Sequence, residues 1–280
     1  MTPLLTGKRG FKLIIALILI FILSYPSQSK IKQIEIIAFS LRAGGVSSIH
    51  FSSVSRFEGS VDCGEFTRGY GFGYLTSVAV ERRVNDDFTI GIGASLIDRS
   101  GDFTIDSKLP IRFVEAETPE NIKIENRLSV NLSYFEADIE VKYKVPEYYL
   151  PLPIETFGAL RFAVPIERTF TQKDVIISPA AAVFKTTNGK EREIASGKIQ
   201  SINNFLLGLT IGAEHRIKFN KNFSFTQRLS FDYYLNDVAS DVDWNIFGIK
   251  LELCLRYGLF ESIILPSPLE PSDKNGLNNR

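Results

Sequence analysis

Between Phe135 and Tyr143 the chain sets Glu136, Asp138, Glu140 and Lys142 two residues apart. A strand turns successive side chains to opposite faces, so this spacing lines three carboxylates and an ammonium along one row. Phe135, Ala137, Ile139, Val141 and Tyr143 form the row behind. The same two-residue alternation carries Glu81, Glu214, Asp232 and Glu252, which complete a set of seven acids. Arg42, Lys142, Arg161, Arg216, Arg228, Lys250 and Arg256 supply seven bases on the same parity. Carboxylates so placed can do acid–base work, hold a cation or neutralise neighbouring bases. An equal number of bases on the same faces favours mutual neutralisation, because an unpaired charge taken out of water is costly.

Other reactive residues point to less. His50 has Ser47, Ser48, Ser52 and Ser53 around it, but a Ser/His pair needs hydrogen-bond reach and a third orienting group. Adjacent strand residues face opposite ways, so the cluster does not predict one. His215 falls on the apolar parity near a short turn and reads as an interfacial side chain. Gly69, Gly71 and Gly73 lack the third glycine of a dinucleotide loop and precede a strand. Asp86–Asp87 and Asp237, Asp241 and Asp243 lack the spacing of an EF-hand loop. No catalytic, cofactor-binding or metal-binding residue is therefore predicted. Cys63 and Cys254 are too few for a disulfide framework, and a loop-to-mid-strand bridge between them is disfavoured by distance. Formal net charge is zero, without the clustered basic excess that nucleic acid would require.

Eight stretches show the period-two pattern that positions these residues: Ile34–Gly45, Tyr70–Arg82, Phe88–Asp98, Leu128–Tyr143, Ile154–Pro165, Asn204–Ile217, Phe223–Leu235 and Trp244–Phe260. The connections alternate, long at 46–69, 99–127, 166–203 and 236–243, short at 83–87, 144–153 and 218–222. Lys8, Arg9 and Lys12 precede an eleven-residue apolar run, Leu13–Leu23, and Ser27-Gln28-Ser29 offers a cleavage site. Residues 1–29 thus read as a signal peptide, residues 30–260 as the folded unit and residues 261–280 as a disordered tail. The fold class predicted is all-β: an eight-stranded antiparallel up-and-down transmembrane β-barrel with long extracellular loops. An interior of that size is just filled by side chains. The fourteen charges should therefore pair inside and plug the lumen, with glycines 71, 73, 91, 93, 208 and 212 making room for long side chains.

The signal, the eight amphipathic strands and the aromatic-ended last strand resemble small OmpA/OmpX-type outer-membrane barrels. The segments DCGEF (Asp62–Phe66), GYGFGY (Gly69–Tyr74) and Phe184…Asn188-Gly189…Gly197-Lys198-Ile199 are similar to the PorT-like barrel group. The resemblance covers about residues 31–260 and lacks the peptidoglycan-binding domain of OmpA-type proteins. It implies residence in the cell outer membrane, and it implies no catalytic residues. Outer-membrane lipid and the barrel assembly machinery are then the expected partners, together with an unknown extracellular ligand met through loops 99–127 and 166–203. The function expected is a non-enzymatic envelope barrel with a structural role, a loop-mediated binding or adhesion role, or both. A narrow transport channel is the alternative. A soluble barrel with its apolar face turned inward is a third reading.

Overall fold

The computed structural model describes residues 33–57, 62, 64–106, 111–112, 121–146, 148–149 and 152–262. The signal segment, most of the tail and Cys63 lie outside them. The strands are β1 Gln33–Val54, β2 Phe66–Arg83, β3 Phe88–Asp98, β4 Gly101–Asp106, β5 Ile111–Arg112, β6 Asn121–Lys144, β7 Ile154–Ser178, β8 Glu191–Lys198, β9 Leu206–Lys218, β10 Phe223–Tyr234 and β11 Trp244–Ser262. β4 prolongs β3, since both keep one register against β2 (Leu75 opposite Ile97, Tyr70 opposite Asp102) and against β6 (Asp98 opposite Ser133, Gly101 opposite Val130). The wall of the barrel is therefore eight strands, all antiparallel, closed where β11 pairs with β1.

Closure has a measurable stagger. Stepping between register partners, Ala38 leads to Glu81, Gly91, Glu140, Ala159, Thr210, Asp232, Gly248 and back to β1 at Ser48, ten residues higher. A shear of that size in eight strands tilts them by roughly 40° and leaves an interior that side chains can fill.

Several strands run further than their sequence pattern suggests. Val46–Val54 belongs to β1 rather than to a loop, and its ladders to β2 and β11 continue through Ser47, Ser48 and His50. Likewise the predicted loop 99–127 contains β4, β5 and the start of β6, and the predicted loop 166–203 contains the end of β7 and all of β8. Small and polar residues read as loop in those places. In β4 and β6 they sit on the solvent side of strands whose other side is apolar, whereas in β1 Ser48 and His50 face inward and are buried. Between β7 and β8 the chain turns at Asn188, which adopts φ of 50° beside Gly189, and Phe184 bridges to Gly189.

β6 shows how the two faces change along one strand. From Phe135 to Tyr143 the outward row is apolar, and the inward row is Glu136, Asp138, Glu140 and Lys142. From Leu128 to Tyr134 the inward row is Leu128, Val130, Leu132 and Tyr134, all buried, and Ser129, Asn131 and Ser133 face out. The polarity of the wall inverts between Tyr134 and Phe135. Below that level, toward the short turns, the barrel is apolar outside and charged inside. Above it, toward the long loops, β6 has an apolar inner row and a polar outer row, whereas β1 and β2 keep Phe51, Tyr70 and Phe72 exposed on the outside.

Candidate functional site

The interior is built in layers. Nearest the turns, Lys142 Nζ lies 2.9 Å from Glu81, 2.8 Å from Glu214 and 3.4 Å from Glu140. Arg228 meets Glu140 at 2.5 Å and Glu214 at 3.0 Å, with its guanidinium 4.0 Å from the centre of the Phe157 ring. Arg42 reaches Glu81 at 3.1 Å, and Arg256 bridges Glu81 at 2.9 Å and Glu35. Four bases thus face four acids from six strands of the wall. Arg216 closes the rim through Glu155 at 2.9 Å.

A second layer sits above. Arg161 pairs with Asp232 at 2.6 Å and Glu136 at 3.2 Å, and Arg99 pairs with Asp232 and lies 3.7 Å from Glu136. The Tyr234 hydroxyl donates to Glu136 at 2.5 Å. Between the layers lies a void of about 30 Å³, lined in part by Asp138, Lys250 and Glu252. It is roomy enough for a water or two. Glu252 lies 3.9 Å from Arg228; Lys250 and Asp138 have no direct ion pair among the described residues.

The fourteen predicted lumen residues are thus brought into one interior. Sequence reasoning missed Arg99, Glu35 and Tyr234. Arg99 continues the inward parity of Gly91, Gly93, Ser95 and Ile97, but it stood in a segment read as loop. The glycines divide by what they admit. At Gly93 a Cβ would fall 2.7 Å from the Asp138 carboxylate, as a space-making role requires. At Gly71 and Gly73 it would instead strike the carbonyl oxygens of Ser100 and Asp98, so these admit a neighbouring backbone rather than a side chain.

Above the charges the interior is closed by apolar packing, where the alternation had suggested ions throughout. Trp244, Ile246, Phe103, Tyr134 and Tyr234 belong to one buried cluster. Ile199 and Ile202 join it from the segment after β8, and Val238 and Ala239 from the segment before β11. An Ile202–Ala239 bridge ties those two segments together.

His50 is buried in this plug. Its Nδ1 accepts from the Trp244 indole at 3.2 Å, and its ring stands edge-on to Phe103 at 5.5 Å. That is packing geometry, without the nucleophile contact of a hydrolase. His215 has the outward parity predicted but is only 2% exposed, flanked by Ile154 and Gln227. Cys254 is a free, buried thiol. Among the described residues no cluster of three or more His, Cys, Asp or Glu has metal-binding geometry.

These features define a closed, up-and-down, eight-stranded barrel with an apolar outer belt, an ion-paired lumen and an apolar plug. In structure the chain is similar to small outer-membrane β-barrel proteins. Neisserial surface protein A shares 10% identity at a TM-score of 0.36, over 79% of this chain and 99% of that one. Ail, the attachment invasion locus protein of Yersinia pestis, shares 13% at 0.34, over 80% and 99%. The outer membrane protease OmpT from Escherichia coli shares 7% at 0.34, over 83% and 100%. Likeness this distant transfers no activity. No family model and no curated protein sequence matches the chain, the PorT-like group included.

Proposed function

We propose that this chain is a non-enzymatic outer-membrane barrel, closed to solutes, that crosses the bilayer at its apolar belt and presents its loop-end extension outside the cell as a binding or adhesion surface. The inversion of wall polarity at Tyr134/Phe135 carries the reading. Outward residues of β10 from Phe223 to Tyr233 are apolar apart from Gln227. Eleven residues at ~3.3 Å each and roughly 40° of tilt give about 28 Å of height, against the ~25 Å apolar band of outer-membrane barrels. Aromatic pairs edge the belt on the turn side, Phe88 with Tyr143 and Phe223 with Tyr257. An apolar-inside soluble barrel is disfavoured, because the exposed row of β11 is Ile249, Leu251, Leu253 and Leu255.

Beyond the belt, β6 and β7 continue as a paired hairpin to Lys123 and Ser178. Its tip has a small core of Ile124, Ile176 and Ala182, and Arg192 stacks on Phe184 while pairing with Asp174 at 2.6 Å. A rigid stalk with an ordered tip is a suitable mount for recognition, which concentrates on loops held by rigid scaffolds. Outer-membrane lipid surrounds the belt, the barrel assembly machinery engages β11, and the extracellular ligand meets the tip.

Replacing residues 179–190 by a short turn should leave heat-modifiable gel migration intact. It should also abolish adhesion of cells displaying the chain to a panel of matrix proteins and glycans. Equal adhesion by the trimmed chain would remove the display role. In planar bilayers the wild type should give no steady conductance, and large, sustained channels would favour transport instead.

A further inference from the structure

The apolar belt is not evenly filled. On its turn-side half the outward residues of β2 and β3 include Val78, Val80 and Ala94, while Phe39, Phe223 and Tyr257 stand taller beside them. The difference in side-chain size leaves an open groove of about 530 Å³ whose lining side chains are apolar except for the hydroxyls of Ser40 and Tyr257. Val78, Val80 and Arg82 share one outward row of β2, because alternate strand residues share a face. Arg82 therefore lies just beyond the groove, toward the turns. Its register partners are Ile37 and Ile90, two residues from Phe88 at the aromatic edge of the belt. Arg82 is exposed and has no ion pair or hydrogen bond among the described residues. Its neighbour Arg83 is already tied to Asp86 and to the Asn85 carbonyl.

We propose that the groove binds a phospholipid of the turn-side leaflet, with one acyl chain along Val78, Val80 and Ala94 and the phosphate on Arg82. The inference rests on the membrane-spanning reading above. A guanidinium presents a planar fork of donors that matches phosphate oxygens, and Arg82 stands at the level where headgroups meet the belt. A second barrel is a poorer occupant, since docking it here would desolvate Arg82 with no counter-charge in view.

Native mass spectrometry of barrels released from phosphatidylglycerol nanodiscs tests the site. The wild type should retain one phospholipid. Arg82→Glu should cut the retained fraction roughly tenfold, as expected for one lost charge-assisted contact. Val78→Trp, which fills the groove, should cut it similarly, and Arg68→Glu at the opposite rim should not. Equal retention by wild type, R82E and V78W would mean annular lipid only and would overturn the site. Gel migration of the same samples separates the causes of failure. A folded wild type without bound lipid overturns the groove alone. A wild type that never shows the folded, heat-modifiable band overturns the membrane reading and the groove with it.

Discussion

Lys142 and Lys250 are buried lysines of one lumen, yet their substitutions should differ in sign. Lys142 is surrounded by Glu81, Glu140 and Glu214, so Lys142→Met leaves three carboxylates short of a cation. Breaking one side of a buried pair costs ~3–5 kcal/mol, and urea unfolding of the K142M barrel should show a loss of that order. Lys250 faces a small void instead of a direct partner. Lys250→Met removes a charge whose burial is poorly compensated, and stability should hold or rise. A K250M barrel as damaged as K142M would mean that the void carries a bridge as strong as an ion pair. At this scale most of the site was legible. Parity alone assigned Glu136, Asp138, Glu140 and Lys142 to one interior, because a strand's period is fixed by its backbone. What parity could not supply was the partner of each charge. Glu35 on Arg256 joins the two strands of the seam and Tyr234 on Glu136 crosses the lumen, so both are set by closure rather than by local sequence.

The elements were harder to delimit than to recognise. The period of two carried β6 across its inversion as far as Leu128, because alternation survives when the apolar face changes. Leu128, Val130 and Leu132 alternate with Ser129, Asn131 and Ser133 as clearly as the charged rows do, but with the opposite face apolar. Upper β1 was hidden instead by small polar residues on both faces, Ser47 outside and Ser48 inside, but the reversal did hide the inward position of Arg99. It can be tested with a single carboxylate moved by one residue. Leu132→Asp places an unpaired charge in the plug and should destabilise by several kcal/mol, while Asn131→Asp on the outward face, opposite Thr169, should be tolerated within about 0.5 kcal/mol. On the other side of the inversion the outward face becomes the sensitive one, and Ile139→Asp should impair folding into lipid. Thermal melts of the folded barrels rank the three. Tolerance of Leu132→Asp would remove the plug from the account.

For the whole molecule, two media act on one continuous wall. On the proposed membrane-spanning reading, the belt half is held by ion pairs within and lipid without, and the outer half by an apolar core that water alone drives together. Urea should therefore loosen the outer half first. The chain's single tryptophan, Trp244, lies in the plug and reports on it directly. Its emission should shift to the red at lower urea than is needed to abolish the folded band on gels. Coincident transitions would make the barrel one cooperative unit and the stalk no more than its continuation.

The ten-residue stagger at the seam bears on how such a wall can be finished during biogenesis. A joint between β1 and β11 that slipped by one residue would turn Glu252 and Arg256 out of the interior, since side chains exchange faces at every step. Only slips of two keep the faces, and those would change the girth of the cylinder and carry Arg256 away from Glu81 and Glu35. The last joint thus has few wrong settings, widely spaced in energy. A misjoined barrel would reopen before it settled, an error check written into the wall itself.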